Sequence, residues 1–174
     1  LVPPVSDMVE EEQIKVIGSL RIGIPLYNVY LNEADEWSRR LSNQLSEWSL
    51  EVHRPVPSDA EALAHSLAGS SATVGFSSLS DMARALEHAL QHMAGQHGGT
   101  DHQGRVFREA AEDIRRLLHQ FAAGFLKEPN PFILEELRAL EFGDAVSASQ
   151  VVEAPVFPLD PAQTLAAPLV EDMQ

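Results

Sequence analysis

A histidine, two glycines, two leucines and a glutamate are spaced through residues 64–87, AHSLAGSSATVGFSSLSDMARALE, so as to place an imidazole where it could react. Gly69 follows His65 by four residues, Gly75 by ten and Leu79 by fourteen. Leu86 and Glu87 follow by twenty-one and twenty-two. An imidazole is a nucleophile near neutral pH if nothing covers its ring. The first question is therefore what surrounds His65.

Ser58, just after Pro57 and three residues before Glu61, is expected to open the helix as a capping box. At roughly 100° per residue, Leu63, Leu67, Ser70 and Val74 share one stripe, which is expected to face the core. His65 then lies about 160° round from Leu67. Its helical neighbours are Glu61, Ala62, Ala68, Gly69 and Ala72, of which four are very small. The ring is expected to be open to a visiting protein. Glycine within a helix costs about 1 kcal/mol relative to alanine. One turn beyond the histidine, Gly69 removes a side chain that would crowd the ring and the partner.

The whole pattern resembles the histidine-phosphotransfer (HPt) family, including the N-terminal domains of CheA-type chemotaxis kinases. That family reads H-x-L-K-G, then glycine, leucine and a leucine-glutamate pair. His65, Leu67, Gly69, Gly75, Leu79, Leu86 and Glu87 match in place, over a resemblance covering roughly 55–126. The resemblance implies phosphorylation of His65 on its outer ring nitrogen. It also implies that Glu87 accepts a hydrogen bond from the other nitrogen, orienting the ring. Ala68 departs from the pattern, standing where the family has lysine. Ala68, Gly69, Ala72 and Arg84 are expected to form the phosphate and partner surface, with Arg84 a candidate substitute for the lysine. The implied partners are a kinase ATP-binding domain and a response-regulator receiver domain. ATP and magnesium would act on the kinase, with no cofactor bound to this chain.

The stretch VIGSLRIGIPLYNVYLNEADEWSRRL also resembles sequences joining HPt domains in large CheA-like kinases of type IV pilus systems. Two other readings stand beside the phosphocarrier. One is an HPt-like scaffold that docks partners without carrying phosphate, which the alanine at 68 suggests. The other is a metal-binding bundle using His88, His92, His97 and His102. Without an HExxH motif or a pattern of supporting carboxylates, those histidines are expected to be solvated and to form no metal site. No Walker loop, dinucleotide fingerprint or GxSxG occurs, so no ATP site or independent catalysis is expected.

Four long helices must position these residues. They are expected near 26–51, 58–74, 78–94 and 104–127, giving an all-α, antiparallel four-helix bundle. Ala34, Trp37, Leu41, Leu45 and Trp48 mark the core face of the first, with both tryptophans read as core anchors. Pro25 suits its first position. Ser77 or Ser78 is expected to cap the third helix and Gly95 to end it. Residues 96–104, QHGGTDHQG, read as a glycine-rich hinge before a fourth helix that Pro129 stops. Asn130 and Pro131 then open a short accessory helix ending near Gly143. Residues 14–24 are expected to form either a short hairpin or an extended arm around Gly18 and Ser19.

The domain organisation is read as an acidic linker and arm over 1–25, the bundle over 26–127, the accessory helix over 128–142 and a proline-rich acidic linker over 143–174. Of the formal charge of −14, four acids lie in 1–13 and five in 143–174, with no lysine or arginine in either. Such an excess argues against nucleic acid and anionic lipid as partners. The chain has no cysteine, no apolar run long enough to span a membrane and no signal-peptide pattern, so the expected setting is cytoplasmic. Leu1 at the start suggests a piece of a longer protein.

Overall fold

The computed structural model describes residues 13–141. Strands β1 (Ile14–Ile17) and β2 (Leu20–Gly23) pair antiparallel, with Ile17 opposite Leu20. Gly18 joins them at φ 58°, the left-handed value that a two-residue turn with glycine in first position uses. Ile17 and Ile22 are buried, and a side chain built on Gly18 or Gly75 would touch Leu126 or Leu20 at 3.1 Å. The hairpin is thus a docked end of the bundle, not an arm apart from it.

Five helices follow among the described residues: α1 (Ile24–Leu50), α2 (Ser58–Thr73), α3 (Ser77–Met93), α4 (Asp101–Ala122) and α5 (Pro131–Glu141). The first four form the expected antiparallel bundle. On α1 and α2, Tyr30 meets Ser71 while Arg40 meets Asp59. On α1 and α4, Asp35 meets Arg115 while Trp48 stacks on Phe107. Residues up to Arg138 form one unit and Ala139 onward a second, of which only the last turn of α5 is described. Of the acidic linkers expected within 1–25 and over 143–174, residues 1–12 and 143–174 lie outside the described residues.

Phe121 anchors the core. Its ring stacks on Phe76 at 4.3 Å and meets Tyr30 edge-on at 5.7 Å, with Tyr27 at 5.9 Å. Burying each such ring contributes roughly 1.5–3 kcal/mol. Burial pushes the Tyr30 phenol above its ordinary range, and its hydroxyl is satisfied by Ser71 Oγ at 2.7 Å. Trp48 is buried as expected, whereas Trp37 is only half-buried and Ser38 takes the inward position beside it.

Helix ends depart from expectation for identifiable reasons. Ser58 and Ser77 are the first helical residues of α2 and α3, behind Pro57 and Phe76, and neither helix has a side-chain cap. The expected Ser58–Glu61 capping box is therefore absent, as is a cap from Ser77 or Ser78. A capping box lies instead at α4, where Thr100 Oγ1 accepts from the Gln103 amide and Gln103 Oε1 from the Thr100 amide. It starts α4 at Asp101, ahead of the expected 104. Gly124, at φ 98°, ends that helix well before Pro129.

The expected hinge at 96–104 is tightly fitted. The Gly99 amide donates to the Val52 carbonyl at 2.7 Å, and a Cβ on Gly98 would meet the His53 carbonyl oxygen at 2.6 Å. Its glycines allow close approach of two backbones. Asn130 does open α5 as expected, its Oδ1 accepting from the amides of Phe132 and Ile133. Asp113, buried on α4, accepts from the Asn130 amide at 2.9 Å and from Arg116, fastening the connection to α5.

Candidate functional site

The α2 sequence SDAEALAHSLAGSSAT sorts by size once wrapped into a helix. Leu63 and Leu67 turn inward, and Ala60, Ala64, Ala68 and Ser71 are buried with them. Ala62, His65, Gly69 and Ala72 stay exposed. Ser70, expected in the core, is only half-buried; Ser71 has the buried place because it meets Tyr30.

His65 stands mid-helix with 69 % of its side chain exposed. Its Nδ1 lies 2.8 Å from Glu87 Oε2 on α3. A carboxylate only accepts, so this bond places the imidazole proton on Nδ1 and leaves the Nε2 lone pair free. Glu87 is at the buried margin of α3, 8 % exposed at the side chain, which holds its carboxylate against the ring. Gln91, one turn on, donates to the same oxygen at 3.4 Å. Gln91 was not among the site residues expected from the sequence; its spacing of four from Glu87 was the available signal.

Around the ring is an open depression of about 510 Å³, lined on α2 by Ser58, Glu61, Ala62 and Ser66 and on α3 by Glu87 and Gln91. So open a surface suits another protein's face better than an enclosed small molecule. A Cβ built on Gly69 would meet nothing within 4 Å, so no intramolecular crowding requires that glycine. What it leaves clear is the approach from outside.

Ala68 corrects the expected surface. Its exposure is 0 %, and its carbonyl accepts from Ser80 Oγ at 2.9 Å. At this level α2 and α3 approach so closely that a methyl group fills the space. Ala68 is therefore part of the helix contact, while Gly69, Ala72 and Arg84 are exposed as expected. The hydroxyl of Ser80 was not foreseen as a tie between the two helices.

Among the described residues, no group of three or more histidines and acids is arranged to hold a metal ion. No described helix is long and apolar enough to cross a membrane.

Taken together, these elements define a helical bundle presenting an exposed imidazole, that of His65, whose inner nitrogen is held by a buried carboxylate. The family model of the Hpt domain matches residues 25–124, and the chain belongs to that family. It is thus a phosphotransfer module of two-component signalling, a class of domain that exchanges phosphoryl groups with kinases and receiver domains. No curated protein matches the chain at a significant level.

Proposed function

We propose that His65 is the phosphoryl acceptor and donor of this domain. The observation that carries the reading is the 2.8 Å bond from Nδ1 to buried Glu87, with the rest of the ring exposed. With Nδ1 protonated, the Nε2 lone pair attacks the γ-phosphorus of ATP held with magnesium by a partner kinase domain. The bond from phosphorus to the bridging oxygen breaks, and its electron pair leaves with ADP. The phosphorylated ring carries positive charge while Nδ1 keeps its proton, and the Glu87 carboxylate stabilises that charge. An aspartate of a receiver domain then attacks phosphorus, and the N–P electron pair returns to the ring.

Glu87 is a positioning residue here, and Gly69 and Ala72 leave the surface open for both partners. A chemosensory kinase as the larger setting, of the kind found in type IV pilus systems, is supported by the resemblance of residues 16–41 described above. The cytoplasm follows from the need for ATP.

The test is incubation with the ATP-binding core of a chemosensory histidine kinase and radiolabelled ATP, beside a His65→Gln variant. Acid-labile label on the wild type and none on the variant is expected. Equal labelling of both would move the site elsewhere, and label on neither would favour the scaffold reading.

A further inference from the structure

We infer that Arg84 supplies, from α3, the cation that meets the phosphoryl group on His65, in place of a lysine at position 68. This rests on the proposed role of His65 and names a residue that would serve it.

The need arises from charge. A phosphoryl group brings nearly two negative charges and three acceptor oxygens. The α2 helix contains no lysine or arginine, while Glu61 and Glu87 both line the depression at His65. The site's own residues would repel the group they are to receive. At the far end of the helix Arg40 is committed to Asp59 at 2.7 Å. Arg84 is exposed and has no hydrogen-bond or ion-pair partner among the described residues.

The register puts Arg84 in the right place. The α2 and α3 helices are tied at two points, Ser80 to the Ala68 carbonyl and Glu87 to His65. Arg84 is one turn from each of those α3 residues, on the same side of the helix. Because the helices run antiparallel, its position midway between Ser80 and Glu87 is level with the stretch between Ala68 and His65. Burial of Ala68 explains why the cation comes from α3. The close contact leaves position 68 beneath the surface, whereas Arg84 is exposed. Its planar fork can bind two phosphoryl oxygens at once.

The experiment uses phosphoramidate, a small donor that needs no kinase. The Nε2 lone pair of His65 forms the new N–P bond, and the donor's P–N bond breaks with its electron pair leaving as ammonia. Initial rates, and the pH midpoint of the phosphoryl ³¹P shift, are compared for wild type, Arg84→Ala, Arg84→Lys and Arg40→Ala. Circular dichroism checks the fold of each. Arg84→Ala is expected to slow phosphorylation about two- to fivefold, as an exposed ion pair allows. It should also raise the ³¹P midpoint by about half a pH unit, because a lost cation makes the dianion less favourable. Arg84→Lys should restore part of both effects, and Arg40→Ala should leave both unchanged. A wild-type rate and midpoint in Arg84→Ala would overturn the inference while leaving His65 as acceptor. Failure of the wild type to take up phosphoryl at all would overturn the reading of His65 and this inference with it.

Discussion

Ser80 on α3 donates its hydroxyl to the carbonyl of Ala68 on α2 at 2.9 Å, at a level where Ala68 is fully buried. That bond ties the two helices one turn from His65. It also changes what Ala68→Lys should do. Were position 68 on the surface, a lysine there would raise the phosphorylation rate modestly. Because position 68 is buried, the lysine stem must push past α3 to reach water, and overpacking of this kind costs about 1–3 kcal/mol. Ala68→Lys should lower the urea midpoint at neutral pH, whereas Ala68→Ser should change it little. An unaltered midpoint in Ala68→Lys would show that the helix contact is looser than described.

Removing the Glu87 carboxylate should release the tautomer of His65. In the wild type, ¹⁵N spectra should show the neutral ring protonated on Nδ1, the nitrogen 2.8 Å from Glu87 Oε2. In Glu87→Ala the ring should show a mixture of tautomers. Phosphorylation should fall about three- to tenfold, the range of a net hydrogen bond near 1 kcal/mol. Gln91→Ala, which removes only the 3.4 Å donor to Glu87, should have a smaller effect in the same direction.

Phe121 should dominate stability. Phe121→Ala removes the ring that Phe76, Tyr30 and Tyr27 all touch and should cost about 3–5 kcal/mol in denaturant unfolding. A loss below about 1 kcal/mol would contradict its place at the centre of the core.

Tyr30 gives the fold an alkaline limit. Burial raises its pKa above the unfolded value near 10, so the neutral phenol favours the native state. The resulting stabilisation is complete below about pH 10 and is lost as pH rises from there toward the folded-state pKa. Tyr30→Phe should be about 1 kcal/mol less stable at neutral pH, through the lost bond to Ser71. It should lose less stability than wild type between roughly pH 10 and 12. Parallel thermal melts at these pH values would measure the difference.

Asp113 should hold the connection to α5. In Asp113→Ala the Asn130 amide loses its acceptor and Arg116 loses its buried partner. Hydrogen exchange at Asn130, Phe132 and Ile133 should accelerate by at least tenfold, with the His65–Glu87 pair unaffected. Acceleration spread evenly over all helices would mean that Asp113 supports the whole bundle instead.

Much of the site was legible in the sequence because it depends on helix phase and a family's spacing. The exposure of His65 followed from the stripe of Leu63 and Leu67 on its far side. The pairing with Glu87 followed from the resemblance, twenty-two residues on. Depths at the helix contact were not legible. An alanine is compatible with surface or core, and only the approach of α3 at Ser80 decides that Ala68 is covered. The same limit applied to Gly98 and Gly99, whose spacing suggests freedom until the backbone of residues 52–53 is brought against them. Ser58 has the chemistry of a cap, but Pro57 precedes it and the helix begins one residue too early for its hydroxyl to serve.

The central claim is that His65 carries the phosphoryl group, and intact-protein mass spectrometry after exposure to phosphoramidate tests it most directly. The wild type should gain one phosphoryl group, lost in acid and retained in alkali as a phosphoramidate is, and peptide mapping should place it on the segment containing His65. His65→Gln should gain none. A group that survives acid, or that appears equally on the His65→Gln protein, would contradict the account.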